Sequence, residues 1–184
     1  MKRIENYETV QASSGEFARP TAGGYICKII DVEDVPMDAN TGKGDYLRIE
    51  YDIADGEFKG YYKEQFDRWG GNWNASFIRS YKEKALGMFK HFTNCVEKSN
   101  AGYEWDWNEK GIIGKVVGLV LGEEEYRNSS GEIKTKLAVK NIATVEDIKN
   151  GNFKVPVPKK LSVETPTNDF SVFTPIENDE PLPF

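Results

Sequence analysis

The sequence contains a single histidine, only two cysteines and no long apolar run. Its longest apolar stretch, residues 112–121, is interrupted by Lys115, whereas a membrane-spanning helix needs about 20 apolar residues. Cys27, Cys95 and His91 do not have the spacing of a zinc site. The basic start of the chain is not followed by an apolar segment, so we expect no signal peptide, no membrane contact and a cytoplasmic location.

The sequence also lacks a phosphate-binding glycine motif, a nucleophile elbow and a metal-binding triad. Three adjacent acids, Glu123, Glu124 and Glu125, stand at the end of an apolar run, where such residues are usually solvated. We therefore predict no enzymatic activity, no metal and no cofactor. A nuclease that binds Mg²⁺ through these three glutamates is the least favoured alternative.

The net charge of −6 argues at first against a nucleic-acid partner. However, residues 162–184 contain five acidic side chains and neither Lys nor Arg, which leaves 24 basic and 25 acidic side chains in residues 1–161. The body of the protein is therefore almost neutral. Such a body can bind a polyanion if its basic residues collect on one face.

Hydrophobic patterning predicts five strands and one main helix. Strand two is the clearest, because positions 47, 49, 51 and 53 are apolar and positions 48, 50 and 52 are charged. The predicted strands are residues 25–32, 46–53, 58–69, 112–121 and 133–140, with a helix over residues 78–96 and a helical turn over residues 145–149. This order predicts a mainly β fold, a five-stranded OB-type barrel with one helix between strands 3 and 4. Other mixed α+β domains share the order.

Proline and the loss of apolar periodicity mark the end of the folded domain. Prolines stand at positions 156, 158, 166 and 175, and no strand or helix pattern follows residue 154. We therefore divide the chain into an N-terminal arm (1–22), an OB-type domain (23–153) and a proline-containing linker with a disordered acidic tail (154–184).

Basic and aromatic residues supply what an OB barrel needs to bind single-stranded DNA. Basic side chains follow the phosphate backbone, and aromatic rings stack under the bases. Strand two carries an aromatic and a basic residue on its polar face, strand five carries three lysines on one face, and two tryptophans flank a Gly-Gly loop. The predicted DNA-binding residues are Tyr46, Arg48, Phe66, Arg68, Trp69, Trp73, Lys134, Lys136 and Lys140.

Each of these features also has a purely structural interpretation. Trp69 and Trp73 could cover one end of the barrel, and lysines are ordinary on a solvated strand face. The DNA interpretation rests on the coincidence of the lysines with an aromatic loop, since large exposed aromatic side chains are unfavourable unless they pack or bind.

The C-terminal tip is the sharpest motif of the sequence. An apolar anchor beside negative charge suits a hydrophobic pocket with a basic rim on another protein, and proline lowers the entropy lost on binding. The predicted partner-binding residues are Asp179, Glu180, Pro181, Leu182, Pro183 and Phe184. The alternative is that this acidic end only aids solubility.

The tip resembles the acidic tip of bacterial single-stranded-DNA-binding proteins, with Leu182 in place of the usual isoleucine and Pro181 interrupting the acidic run. The body resembles the single-stranded-DNA-binding proteins of phages and prophages of Gram-positive bacteria. The matching stretches are Gly23-Gly24-Tyr25, Gly56-Glu57-Phe58-Lys59-Gly60-Tyr61-Tyr62, Phe77-Ile78-Arg79-Ser80-Tyr81-Lys82 and Gly122-Glu123-Glu124-Glu125-Tyr126.

This resemblance implies a protein that coats single-stranded DNA during phage replication or recombination in the cytoplasm of a bacterial host. It also implies recruitment of replication and recombination proteins by the tail, and it leaves a homo-oligomer open. The second hypothesis is a β-barrel protein-protein adaptor without DNA binding, in which Trp69 and Trp73 contact a protein surface.

Overall fold

A computed structural model describes residues 18–161 together with Glu5 and Glu8. The strands are β1 (Gly23–Val35), β2 (Tyr46–Ile53), β3 (Ser76–Ser80), β4 (Val116–Arg127) and β5 (Ile133–Ala143). The helices are α1 (Tyr61–Trp69), α2 (Leu86–Ser99) and α3 (Val145–Lys149), with short 3₁₀ turns at Glu83–Ala85 and Glu109–Ile112. Among these residues, none of the helices has the length and apolar character needed to cross a bilayer.

The strands form one antiparallel sheet in the order β3-β2-β1-β4-β5. Five strands and a helix between the third and fourth were correctly predicted, but the fold is mixed α/β rather than mainly β, and the sheet is not closed into a barrel. Within residues 18–161, β3 and β5 are the edges and do not pair with one another. Strand β3 has only five residues, and α2 packs against both β3 and β5, so a helix covers the core between the two edges.

The prediction of strand three at residues 58–69 was wrong, because most of this segment forms α1. Its many aromatic residues favour a strand, but pairs of side chains four residues apart stabilise the helix instead. Lys63 pairs with Asp67, and Arg68 pairs with Glu64 at 2.9 Å. The true third strand lies at Ser76–Ser80, where the sequence pattern predicted the start of the helix.

The core lies between one face of the sheet and α2. The alternating apolar residues of β2 point into it, as predicted, together with the buried residues of β1, β4 and α2. The largest fully buried side chains are Phe92, Ile29, Leu47, Ile49, Ile53, Ile112, Leu119 and Leu121. This packing holds β2 and the segments attached to it in fixed positions.

On the opposite face, α3 and residues 151–161 cross β1 and β4 over three glycines, Gly24, Gly118 and Gly122. A Cβ atom added at Gly24 would lie 2.6 Å from the Phe153 ring, and one at Gly122 would lie 2.7 Å from Pro156. The backbone of Lys159 then pairs with β4, donating to Glu123 O (3.0 Å) and accepting from Glu125 N (2.9 Å). The first residues of the predicted linker are therefore held on the sheet.

Candidate nucleic-acid interface

Helix α1 is fixed to the sheet by a buried carboxylate. Gly60, at its N-cap, has a positive φ of 75° and no side chain to accept the first helical N–H groups. Asp52 of β2 replaces that cap: its carboxylate accepts from the backbone N–H groups of Tyr62 (3.0 Å) and Lys63 (3.2 Å), and also from Ile53 (2.8 Å). Asp52 is only 6% exposed, so its carboxylate is largely withdrawn from water.

The end of α1 presents aromatic side chains to solvent. Trp69 is 74% exposed and Phe66 is 41% exposed. Trp73 differs from both, because its Nε1 donates to Tyr51 O at 3.0 Å and its ring centroid lies 5.7 Å from that of Phe66. Of the aromatic residues predicted around the Gly-Gly loop, Trp73 supports the fold, while Trp69 and Phe66 are accessible to a ligand.

A cleft of about 630 Å³ lies beside Trp69, within the size range of small-ligand sites. It combines three basic side chains, three aromatic rings and two acids. Its lining residues are Ala18, Arg19, Glu57, Phe58, Lys59, Tyr61, Glu64, Gln65, Arg68 and Trp69. The sequence predicted only Arg68 and Trp69 of this set. Arg19 was assigned to the N-terminal arm, and Phe58 and Tyr61 to a strand.

The outer face of β2 carries two other predicted residues, Tyr46 and Arg48, in an acidic setting. Arg48 lies 3.7 Å from Glu33 and 3.2 Å from Glu50, so its charge is already balanced within the sheet. Burial raises the pKa of Glu50; the nearby Arg48 opposes this shift, while Asp31 and Glu33 add to it. This face therefore holds more negative than positive charge.

The predicted lysines of β5 share one face of the β4–β5 hairpin, but acidic residues neutralise them. Lys136 lies 3.1 Å from Glu124, and Lys140 pairs with the same carboxylate. Hydrogen bonds from these two lysines lower the pKa of Glu124. Lys134 lies 3.3 Å from Glu132. These lysines can bind a phosphate chain only in competition with carboxylates of the same hairpin.

The predicted residues thus fall into three groups: the end of α1, the outer face of β2 and the β4–β5 hairpin. In the first group, Arg68 and Trp69 line the cleft and Phe66 is exposed on the same helix, while Arg68 is paired with Glu64. In the part of the chain that the structure describes, no three Asp, Glu, His or Cys side chains converge on a metal position. The predicted partner-binding residues, 179–184, lie outside the described residues. No family model and no curated protein matches this chain.

Proposed function

We propose that this protein binds single-stranded DNA with little sequence preference and recruits partner proteins through its acidic C-terminal tip during phage replication or recombination. The observation that carries the proposal is the exposed Trp69, held on a fixed helix beside a cleft that contains Arg19, Lys59 and Arg68. Ring faces next to guanidinium and ammonium groups are what an unpaired nucleotide needs for its base and its phosphate.

The arrangement of the strands is compatible with an OB-type barrel, and this compatibility supports the proposal. OB folds are five-stranded, partly open Greek-key barrels that bind oligonucleotides. The five antiparallel strands, the open edge between β3 and β5 and the position of α2 are compatible with that architecture. We propose that the sheet is an OB-type barrel opened between its third and fifth strands.

The decisive experiment compares Trp69→Ala with Trp107→Ala in a binding titration against labelled oligo-dT. Trp107 is a matched control, because it is 79% exposed but lies in the loop after α2, where its ring packs beside Trp105. Loss of one stack of about 1–3 kcal/mol should weaken binding by roughly 5- to 150-fold in the first variant, and the second should bind like the wild type.

The titration is repeated at two salt concentrations and with a duplex of equal length. Binding to the single strand should weaken with salt, because bound lysines and arginines release counterions. If the folded wild-type protein binds oligo-dT neither at low nor at high salt, the proposed function is wrong.

A second candidate function is a protein-protein adaptor, and one observation favours it. The outer face of β2 is acidic, and the hairpin lysines already pair with carboxylates, so two of the three predicted groups are poorly suited to DNA. The adaptor hypothesis predicts that neither the wild type nor Trp69→Ala binds oligo-dT. The same titration therefore separates the two functions.

A further inference from the structure

We propose that a second basic surface contacts the phosphodiester backbone of the bound single strand. It comprises Arg79, Lys82, Lys84 and Lys90, which we name the edge cluster, and it runs from the β3 edge into the first half of α2. The inference rests on the proposed function, since it requires a bound strand. It adds a site that the sequence did not predict, because these residues lay in a helix expected to begin at residue 78.

Arg79 is the most unusual member of the edge cluster. Its backbone pairs with Leu47, which faces the core, and its guanidinium lies 4.9 Å from the centre of the Phe77 ring. One terminal nitrogen donates to Ile78 O at 2.8 Å, but the buried Nε has no hydrogen-bond partner. Within residues 18–161, Arg79 forms no ion pair with an acid, and burial lowers its pKa.

An arginine in this setting is a candidate anion-binding residue, because its positive charge has no acidic partner in the described residues. A guanidinium that is partly withdrawn from water, as that of Arg79 is, is favoured by pairing with a carboxylate or a phosphate, because burying an uncompensated charge is unfavourable. The cation–π contact with Phe77 compensates only in part, because a ring face attracts a cation more weakly than an anion does. Arginine also binds phosphate in a bidentate manner, which lysine does not.

The three lysines extend this positive charge along the surface. Lys82, Lys84 and Lys90 are exposed, and none forms an ion pair within the described residues. Residues 79–90 contain four basic side chains and one acid, Glu83. This composition contrasts with the hairpin lysines, which are neutralised by glutamates.

The N-terminus of α2 adds to the positive electrostatic potential of the edge cluster. Its N-cap residue, Ala85, offers no side-chain acceptor, and its first turn contains no acidic side chain. The positive end of the helix dipole is therefore left without an acidic partner in that turn. Positive charge spread over a strand edge, a turn and a helix suits a linear polyanion better than a single small anion.

The first test removes the lysines. The variant Lys82→Gln/Lys84→Gln/Lys90→Gln is compared with Lys98→Gln/Lys149→Gln/Lys160→Gln, which removes equal charge from exposed lysines elsewhere. If each edge lysine neutralises one phosphate, the slope of log K against log salt falls in magnitude by about 2, and affinity at 0.1 M salt falls up to about 100-fold. The control variant should keep the wild-type slope.

The second test separates binding from folding at Arg79. Arg79→Met removes a half-buried charge that has no acidic partner in the described residues, so its melting temperature should equal or exceed that of the wild type, while oligo-dT affinity falls about 10-fold or more. Arg79→Lys should bind with intermediate affinity and an unchanged salt slope. A lower melting temperature with unchanged affinity would show that Arg79 is only structural.

The outcomes distinguish this inference from the proposed function. If the wild type does not bind oligo-dT, both fail. If the wild type binds and Trp69→Ala weakens binding, but the two triple-lysine variants have equal slopes, the edge cluster is overturned and the α1 cleft stands.

Discussion

Asp52 should stabilise the folded protein more than any exposed carboxylate does, because its side chain caps α1. In Asp52→Ala, three backbone N–H groups lose an acceptor, one of them buried and the other two partly buried. A helix cap is worth about 1–2 kcal/mol, and unsatisfied buried donors add to this loss. We expect a destabilisation of about 2–3 kcal/mol and, for a domain of this size, a melting temperature lower by about 4–10 °C.

The matched control is Asp55→Ala. Asp55 is exposed and, among the residues that the structure describes, accepts only from the N–H of the adjacent Gly56 at 2.9 Å, so its loss should change stability by no more than about 0.5 kcal/mol. Urea denaturation at pH 7 measures both variants. Asp52→Ala should also weaken oligo-dT binding well below its melting temperature, because α1 carries Trp69. Equal stability of the two variants would refute the capping role.

Three further changes have defined outcomes. Glu124→Gln should free its two lysine partners and tighten oligo-dT binding about 3- to 10-fold at low salt, measured by anisotropy. Gly118→Ala should destabilise the protein by about 1–3 kcal/mol in urea, because the new Cβ would lie 2.5 Å from Ile148. Burial raises the pKa of Cys27 and Cys95, so the unfolding free energy should fall as pH rises above about 8.5, by at most about 1.4 kcal/mol per pH unit and thiol.

Each of these predictions has its own control. Glu123→Gln removes equal charge without freeing the lysine pair, so equal tightening would exclude the hairpin as a DNA contact. Gly87→Ala, in α2, meets no atom within 4 Å and should stabilise the protein by about 0.5–1 kcal/mol. The pH effect arises because the unfolded chain releases thiol protons that the folded protein retains; a Cys27→Ala variant with the wild-type slope above pH 8.5 would contradict it.

The sequence predicts those parts of the fold that local patterning determines. Strand β2 was predicted with its observed bounds, because its alternating side chains face a core and solvent. Helix α3 also has its predicted bounds, since Thr144 and Asp147 form a capping box. Strand β4 was predicted at residues 112–121 but spans Val116–Arg127. It continues through its glutamates because its second half pairs with β5, a contact that only the assembled sheet provides.

The errors arose where distant residues determine local structure. Helix α1 depends on Asp52, which lies ten residues before the capped Tyr62 and caps the helix from a strand, so no local cap signalled its start. The prediction of the site residues was limited for the same reason. Exposure of Trp69 beside basic residues could be expected from the Gly-Gly loop, but the pairing of Arg48 and Lys136 with carboxylates depends on strand register.

Residues 151–161 cover the glycines of β1 and β4, and this determines at which residue the chain can be truncated without exposing the sheet. A truncation after residue 153, where the sequence pattern ends, would strip Pro156 from Gly122 and leave the edge of β4 beside Lys159 unpaired. An uncovered strand edge invites association with other chains. Such a variant would aggregate for reasons unrelated to partner binding. A tail deletion that ends the chain at Leu161 keeps the sheet covered, and it is the form in which the tail's own contribution can be measured.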